Sequence, residues 1–218
     1  MEIKEGQPWI LWPNSVSYGI NKGDIGTTFE GDCDFTISMR FSTSIDIPQK
    51  RTLFAKLPNY MGLDIEGDNA ILIFNIINLD GVEEAKYLWI DKCINEGTNV
   101  LTIRYNKQFN FLELLVNDIV KLEHKLNNGE KLSKSEDPHI IFGAGNFPHN
   151  GFNLNYMSFD INRLLIAKNS LSYKEIMMCF DDLNYIPTST VGLYDFTKKT
   201  DYKIYDFTGN CNFIHKII

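Results

Sequence analysis

The sequence predicts an all-β protein, an antiparallel β-sandwich of two sheets with one short helix. Strand-like segments bounded by turn residues recur about every 8–12 residues, which is the spacing of sandwiches and barrels. Only one segment, residues 170–180, has a helical pattern. The chain of 218 residues also suits one large sandwich, so we expect residues 1–218 to form a single domain.

The segment FTISMRF, residues 35–41, has the clearest strand pattern. Apolar and polar residues alternate along it, which places the apolar set on one face of a strand. That set comprises Phe35, Ile37, Met39 and Phe41. Further strand-like segments follow in the order RTLFAKL, AILIFNII, KYLWID, NVLTIRYN, FLELLVN, DIVKLE and HIIFGAG.

Two of these segments carry additional apolar residues. AILIFNII, residues 70–77, is apolar at nearly every position, so we expect both of its faces to be covered. In FNFLELLVN, residues 109–117, alternate positions can face a core, which leaves a second apolar set either under another layer or in a binding patch. The core set is Leu112, Leu114 and Val116, and the second set is Phe109, Phe111 and Leu115.

The pairs Asp68-Asn69 and Asn117-Asp118 each separate two apolar runs and predict hairpin turns, because Asn and Asp tolerate positive φ. In the one helical segment, Ser172 stands three residues before Glu175, which is the pattern of a capping box. An apolar stripe follows on one side of that segment. We therefore expect a short helix, and we expect it to plug one end of the sandwich.

Composition argues against several classes of function. The net charge of −7 and the lack of a basic stripe argue against nucleic acid as a partner. No apolar run approaches the roughly 18 residues of a membrane span. The N-terminal segment MEIKEGQPWILWPN has only a short apolar patch and no pattern of a secretory signal. We expect a protein of the cytoplasm or a part of a larger particle.

The order of the segments resembles that of laminin-G-like jelly rolls in the concanavalin A-like lectin and glucanase superfamily. The matching segments are DFTISMRF, LFAKLPNYMGLDIEGDNAILIFN, NVLTIRYNKQFNFLELLVNDIVKLE, HIIFGAGNFPHNGFN, MSFDINRLLIAKNSLSYKEI, VGLYDF and IYDFTGNCNF. They cover most of residues 30–213. The resemblance implies a jelly roll in which the closing strand returns to lie beside the first.

The closing segment, residues 204–216, allows two interpretations. Its side-chain oxygens can bond the backbone of their own turn, with Gly209 supplying an unusual conformation. Alternatively, the resemblance implies a structural calcium ion held by Asp206 with Glu30 or Asp32. No cofactor is otherwise required. Calcium needs six to eight oxygen ligands, of which the sequence offers two or three.

Two loops have the mixture of aromatic and amide side chains that binds sugars, because an aromatic face stacks on sugar C–H groups while amides bond the hydroxyls. These loops, LPNYMG and GNFPHNGFN, lie between predicted strands. Their candidate residues are Asn59, Tyr60, Asn146, Phe147, His149 and Asn150. The alternative is that Tyr60 and Phe147 only cover the core.

The sequence therefore predicts a non-catalytic module that recognises a glycan or glycoconjugate. A first alternative is a structural or protein-interaction sandwich without a sugar site. A second is a glycoside hydrolase or lyase, because Asp64 and Glu66 would share one face of a strand. Retaining glycosidases need two carboxyl groups about 5–5.5 Å apart. The glucanases of the superfamily have glutamates at the outer positions of this strand, where this chain has Asp64 and Asp68.

Overall fold

The computed structural model describes residues 9–12, 31, 33–48, 50–56, 61–134, 140–142, 160–199, 203–210 and 213–216. These residues form fifteen strands and one helix. The elements are β1 Trp9–Trp12, β2 Phe35–Thr43, β3 Arg51–Lys56, β4 Met61–Glu66, β5 Asn69–Ile77, β6 Glu83–Ile90, β7 Gly97–Asn106, β8 Phe111–Val116, β9 Ile119–Lys125, β10 Lys131–Leu132, β11 Ile140–Phe142, β12 Asp160–Ala167, α1 Tyr173–Asp181, β13 Thr190–Lys199, β14 Lys203–Asp206 and β15 Phe213–Lys216.

The protein is an all-β sandwich of antiparallel strands with one short helix, as predicted. Hydrogen-bonded neighbours follow the order β10-β5-β4-β3-β11-β1-β15-β14-β13-β12-β2-β7-β8-β9, and β6 pairs with β5. This path folds over, so that β3, β4 and β5 share one hydrophobic core with β2, β7, β8 and β12. The last strand, β15, pairs with the first, β1, and Phe213 lies opposite Trp12. This confirms the expectation that the closing strand returns to lie beside the first.

Aromatic rings join the two layers across the core. The ring of Phe74 on β5 lies 5.5 Å from that of His124 on β9, measured between centroids. Phe142 on β11 meets Phe196 on β13 edge to face at 6.3 Å. Both geometries are favourable for aromatic pairs. Burial of large apolar side chains from both layers therefore holds the sandwich together.

Most of the predicted strand faces are confirmed. The apolar set of β2 and the core set of β8 are buried. The expectation for β5 holds only in part, because Ile73 and Ile77 are half-buried on the face away from the core. In the second apolar set near β8, Leu115 is buried and Phe109 is exposed.

The two hairpin turns differ in how well they were predicted. Asn117 and Asp118 have φ values of 50° and 68°, which is the positive-φ pair of the expected two-residue turn. The other turn is shifted by one residue from the predicted Asp68-Asn69 pair. Glu66 pairs with Asn69, and Gly67 takes the positive φ of 60°. Glycine adopts that conformation with the least strain, which explains the register.

The helix has the predicted capping box but a different position. The Glu175 amide donates to the Ser172 hydroxyl at 3.3 Å, and the Ser172 amide donates to the Glu175 carboxylate at 2.8 Å. Such a cap stabilises a helix by about 1 kcal/mol. The buried side of α1 packs on the outer face of the β12–β13 sheet, against residues such as Leu165 and Leu193. The expectation that the helix plugs an end of the sandwich is therefore wrong.

The part of the chain that the structure describes contains no helix long and apolar enough to cross a membrane.

Candidate functional site

The loop residues predicted to bind sugar lie outside the described residues. They are Asn59, Tyr60, Asn146, Phe147, His149 and Asn150. The strands that flank the two loops are described, and they lead to opposite ends of the sandwich. The first loop follows β3, which ends at Lys56. The second loop follows β11, which runs antiparallel to β3 and places Phe142 opposite Phe54. Strand β11 therefore runs towards the end of the sandwich where β3 begins, at Arg51.

The carboxylate of Asp64 is used within the sheet. Asp64 is 2% exposed. Its Oδ1 accepts a hydrogen bond from the Thr52 hydroxyl at 2.7 Å, and its Oδ2 lies 2.7 Å from the Lys50 ammonium group. Glu66, two residues further along the strand, is half-buried on the same face. A glycosidase nucleophile must reach its substrate, and Asp64 instead binds its neighbours.

The carboxylate of Asp206 organises the closing turn. Its Oδ1 accepts hydrogen bonds from the backbone amides of Leu193 at 3.1 Å and Thr208 at 2.9 Å. Its Oδ2 accepts from the Thr208 hydroxyl at 2.7 Å. Gly209 follows with a φ of 77°. These hydrogen bonds join the end of β14 to β13. They support the first interpretation of this segment, in which side-chain oxygens bond the backbone of their own turn.

The described residues do not assemble a donor set for calcium. Glu30 and Asp32, the predicted companions of Asp206, lie outside the described residues. Among the residues that are described, no group of three or more His, Cys, Asp or Glu side chains could hold a metal ion. Since calcium needs six to eight oxygens, Asp206 does not supply a site by itself.

The outer face of the β4–β5–β6 sheet carries two exposed aromatic side chains. Tyr87 is 61% exposed and Trp89 is 52% exposed. They are two residues apart on β6, so both project from the same face at a spacing of about 6.6 Å along the strand. Tyr87 lies opposite Ile73 and Trp89 lies opposite Ile71 on β5. We call Tyr87 and Trp89 the aromatic strip.

Strand β6 forms an edge of the described sheet, where it pairs with β5. Its other face carries an ion pair in which the Lys86 ammonium group lies 2.8 Å from the Glu84 carboxylate. Hydrogen bonding to Lys86 lowers the pKa of Glu84, so this carboxylate remains charged. Charged residues on an edge oppose pairing with other strands.

A cleft of about 830 Å³ opens where β5 ends, at Ile77, and β6 begins, at Glu83. Its lining includes Ile77 and Glu83 from these strands, the β7–β8 turn and the segment around β10. Ile77 lies opposite Glu83 on the same sheet face as the aromatic strip. The volume falls within the range of about 300–1,000 Å³ that is typical of small-molecule sites.

Sequence reasoning missed the aromatic strip, although the segment KYLWID was predicted as a strand. Tyr87 and Trp89 alternate with Leu88 and Ile90, so the segment is apolar on both faces. The structure turns Ile90 into the core and packs Leu88 against it. Tyr87 and Trp89 share one face of this strand, but nothing in the sequence marks that face as the exposed one.

No protein-family model matches the chain, and no curated protein matches it. Solved structures match in fold. A candidate carbohydrate-binding protein from Bacteroides ovatus has a TM-score of 0.64 at 10% identity, over 99% of this chain and 58% of its own. The receptor-binding domain of botulinum neurotoxin D has a TM-score of 0.53 at 14% identity, over 83% and 43%.

A serotype D ligand-binding domain in complex with N-acetylneuraminic acid has a TM-score of 0.50 at 16% identity, over 82% of this chain and 40% of its own. The chain thus spans 58% or less of the length of each of these three proteins. At these identities the comparisons show a shared β-sandwich fold.

Proposed function

We propose that the chain is a non-catalytic glycan-recognition domain of the laminin-G-like, concanavalin A-like type. The observation that carries the proposal is the exposure of Tyr87 and Trp89 on one sheet face. Aromatic side chains of this kind offer large, rigid stacking surfaces with a polar group at one edge. Asn59, Tyr60 and the residues of the second loop remain proposed contributors.

Two further points support a glycan partner. The Bacteroides ovatus neighbour is named as a candidate carbohydrate-binding protein, and one toxin domain was solved with N-acetylneuraminic acid. A shared fold alone does not transfer a function, so the proposal rests on the surface of this chain. The role of Asp64 within the sheet gives hydrolysis no comparable support.

A glycan array tests the proposal. The wild type should bind a defined set of glycans, and Trp89→Ala should lose that binding. Tyr205→Ala is the matched control, because Tyr205 is an aromatic that is 48% exposed on β14, which pairs with β13 and β15 and not with β5 or β6. Duplicate arrays with calcium and with a chelator test whether a cation contributes. Failure of the folded wild type to bind any glycan would contradict the proposal.

A protein-interaction role is the second candidate, and the same exposed strip favours it. Exposed apolar patches on a sheet face also serve as docking surfaces. The two roles differ in the array result, because a protein-docking domain would bind no glycan whether or not Trp89 is present.

A further inference from the structure

The aromatic strip continues along β6 into a short polar segment. Glu83 and Ala85 precede Tyr87 and Trp89 at intervals of two residues, and the pairing of β6 with β5 has no register shift. All four side chains therefore project from one sheet face, and all four are exposed. The row from Glu83 to Trp89 is about 20 Å long, which is longer than a single sugar ring.

The carboxylate of Glu83 is held in place at one end of this row. Its Oε1 accepts hydrogen bonds from the Ser133 hydroxyl and from the Asn75 side-chain amide, the latter at 3.4 Å. The backbone amide of Ser133 in turn donates to the Asn75 carbonyl at 2.9 Å, which fixes these two partners beside β5. Within the part of the chain that the structure describes, Oε2 has no hydrogen-bond partner. A positioned carboxylate of this kind accepts hydrogen bonds from the hydroxyl groups of a ligand.

Ala85 leaves a gap between Glu83 and Tyr87, because its methyl group is the smallest side chain in the row. A sugar ring that rests on Ala85 lies about 6.6 Å along the strand from the carboxylate on one side and from the tyrosine ring on the other. Its hydroxyl groups face Glu83, and the next units of a chain reach Tyr87 and Trp89 in turn. Polar contacts at one end of the row are thus followed by stacking contacts at the other.

We propose that this row binds a linear, uncharged oligosaccharide that lies along β6, with Glu83 accepting hydrogen bonds from the unit over Ala85. The inference rests on the proposed glycan recognition and specifies the class of glycan. An acidic unit over Ala85 is disfavoured, because its carboxylate would face that of Glu83. Lys131 lies across Ile77 from Glu83, about 10 Å away between Cα atoms, so Glu83 is nearer to the gap than Lys131 is.

The test varies the length and the charge of the ligand. Calorimetric titrations use three linear β-1,4-linked trisaccharides, cellotriose, mannotriose and xylotriose, together with their monosaccharides. Trimannuronic acid is the acidic counterpart, because it carries carboxylates where mannotriose carries hydroxymethyl groups. We expect at least one neutral trisaccharide to bind about tenfold more tightly than its monosaccharide, since only the longer chain reaches both aromatic rings. Trimannuronic acid should bind more weakly than that trisaccharide.

Two variants test the polar end of the row with the trisaccharide that binds most tightly. Ala85→Ile should lower the affinity about tenfold or more, because the larger side chain fills the gap, while isoleucine suits an exposed strand position. Glu83→Gln should lower it about fivefold, because a neutral amide accepts weaker hydrogen bonds than a carboxylate. Glu123→Gln is the matched control, because Glu123 is exposed on β9, which pairs with β8 in the other layer, and it should bind as the wild type does.

Three results would overturn the inference: equal affinities for trisaccharides and monosaccharides, tighter binding of trimannuronic acid than of the neutral trisaccharides, or wild-type affinity of either Ala85→Ile or Glu83→Gln. If the array shows glycan binding that depends on Trp89 but none of the three neutral trisaccharides binds, the inference about a linear chain is wrong and the glycan-recognition function still stands. A folded wild type that binds no glycan at all contradicts the function itself.

Discussion

Trp89 on β6 lies directly opposite Ile71 on β5, yet the tryptophan is 52% exposed and the isoleucine 5%. Two neighbours on one sheet face thus have different roles. Ile71 is buried as part of the packed sheet, and Trp89 presents its ring to solvent. The proposed glycan contact therefore depends on Trp89 and not on Ile71.

Substitutions should separate these roles by their effect on stability. Ile71→Ala should lower the free energy of unfolding by about 2–5 kcal/mol, because it removes buried methyl groups and leaves a cavity. Trp89→Ala should cost about 1 kcal/mol or less, the range of an exposed cross-strand contact. Urea unfolding of both variants measures the difference. A larger loss for Trp89→Ala than for Ile71→Ala would show that Trp89 is part of the packing.

The closing turn should depend on Asp206 whether or not calcium is present. Asp206→Ala leaves the Leu193 and Thr208 amides without their carboxylate partner, so we expect a loss of about 1–3 kcal/mol in the free energy of unfolding. The loss should be the same in calcium and in EDTA. A loss that appears only in calcium would show instead that Asp206 binds the cation.

Lys50 should be needed to keep Asp64 in its buried position. Removing one partner of a buried ion pair leaves an uncompensated charge, which costs about 3–5 kcal/mol in buried pairs and less where one partner is partly exposed, as Lys50 is. Lys50→Met should therefore destabilise the protein, and the added change Asp64→Asn should recover part of the loss. Thermal unfolding of both variants measures this. An unchanged melting temperature for Lys50→Met would contradict the pairing.

His124 should make stability sensitive to acid. Burial lowers the pKa of its imidazole, and Lys86 adds to this while Glu130 opposes it. The unfolded chain therefore takes up a proton first, near pH 6.5. Stability is fully present above that pH and is lost as pH falls through the lower pKa of the folded state. His124→Leu should show a smaller loss between pH 7 and pH 5 in urea unfolding. Equal losses would show that His124 does not contribute.

Local patterns predicted the elements of the fold well, because they depend on neighbouring residues. The alternation in β2, the capping box of Ser172 and the turn at Asn117 all follow from the conformational preferences of a few adjacent residues. The pairing of the first and last strands was implied by the resemblance of the segment order to that of laminin-G-like jelly rolls. The β-sandwich could therefore be predicted from the sequence.

Features that depend on distant contacts could not be predicted. The position of α1 follows from an apolar outer face around Leu165 and Leu193, which the strand pattern alone does not reveal. The exposure of Tyr87 and Trp89 follows from which side of β6 meets the core. Both faces of that strand are apolar in sequence, so only the order of strands in the sheet decides between them.

The most direct test of glycan recognition is a calorimetric titration with the strongest glycan from the array. The account predicts that the wild type and Tyr205→Ala bind with the same affinity, and that Trp89→Ala binds about tenfold more weakly or worse while it remains folded. Undiminished affinity of folded Trp89→Ala would contradict the assignment of the aromatic strip as the glycan-binding surface.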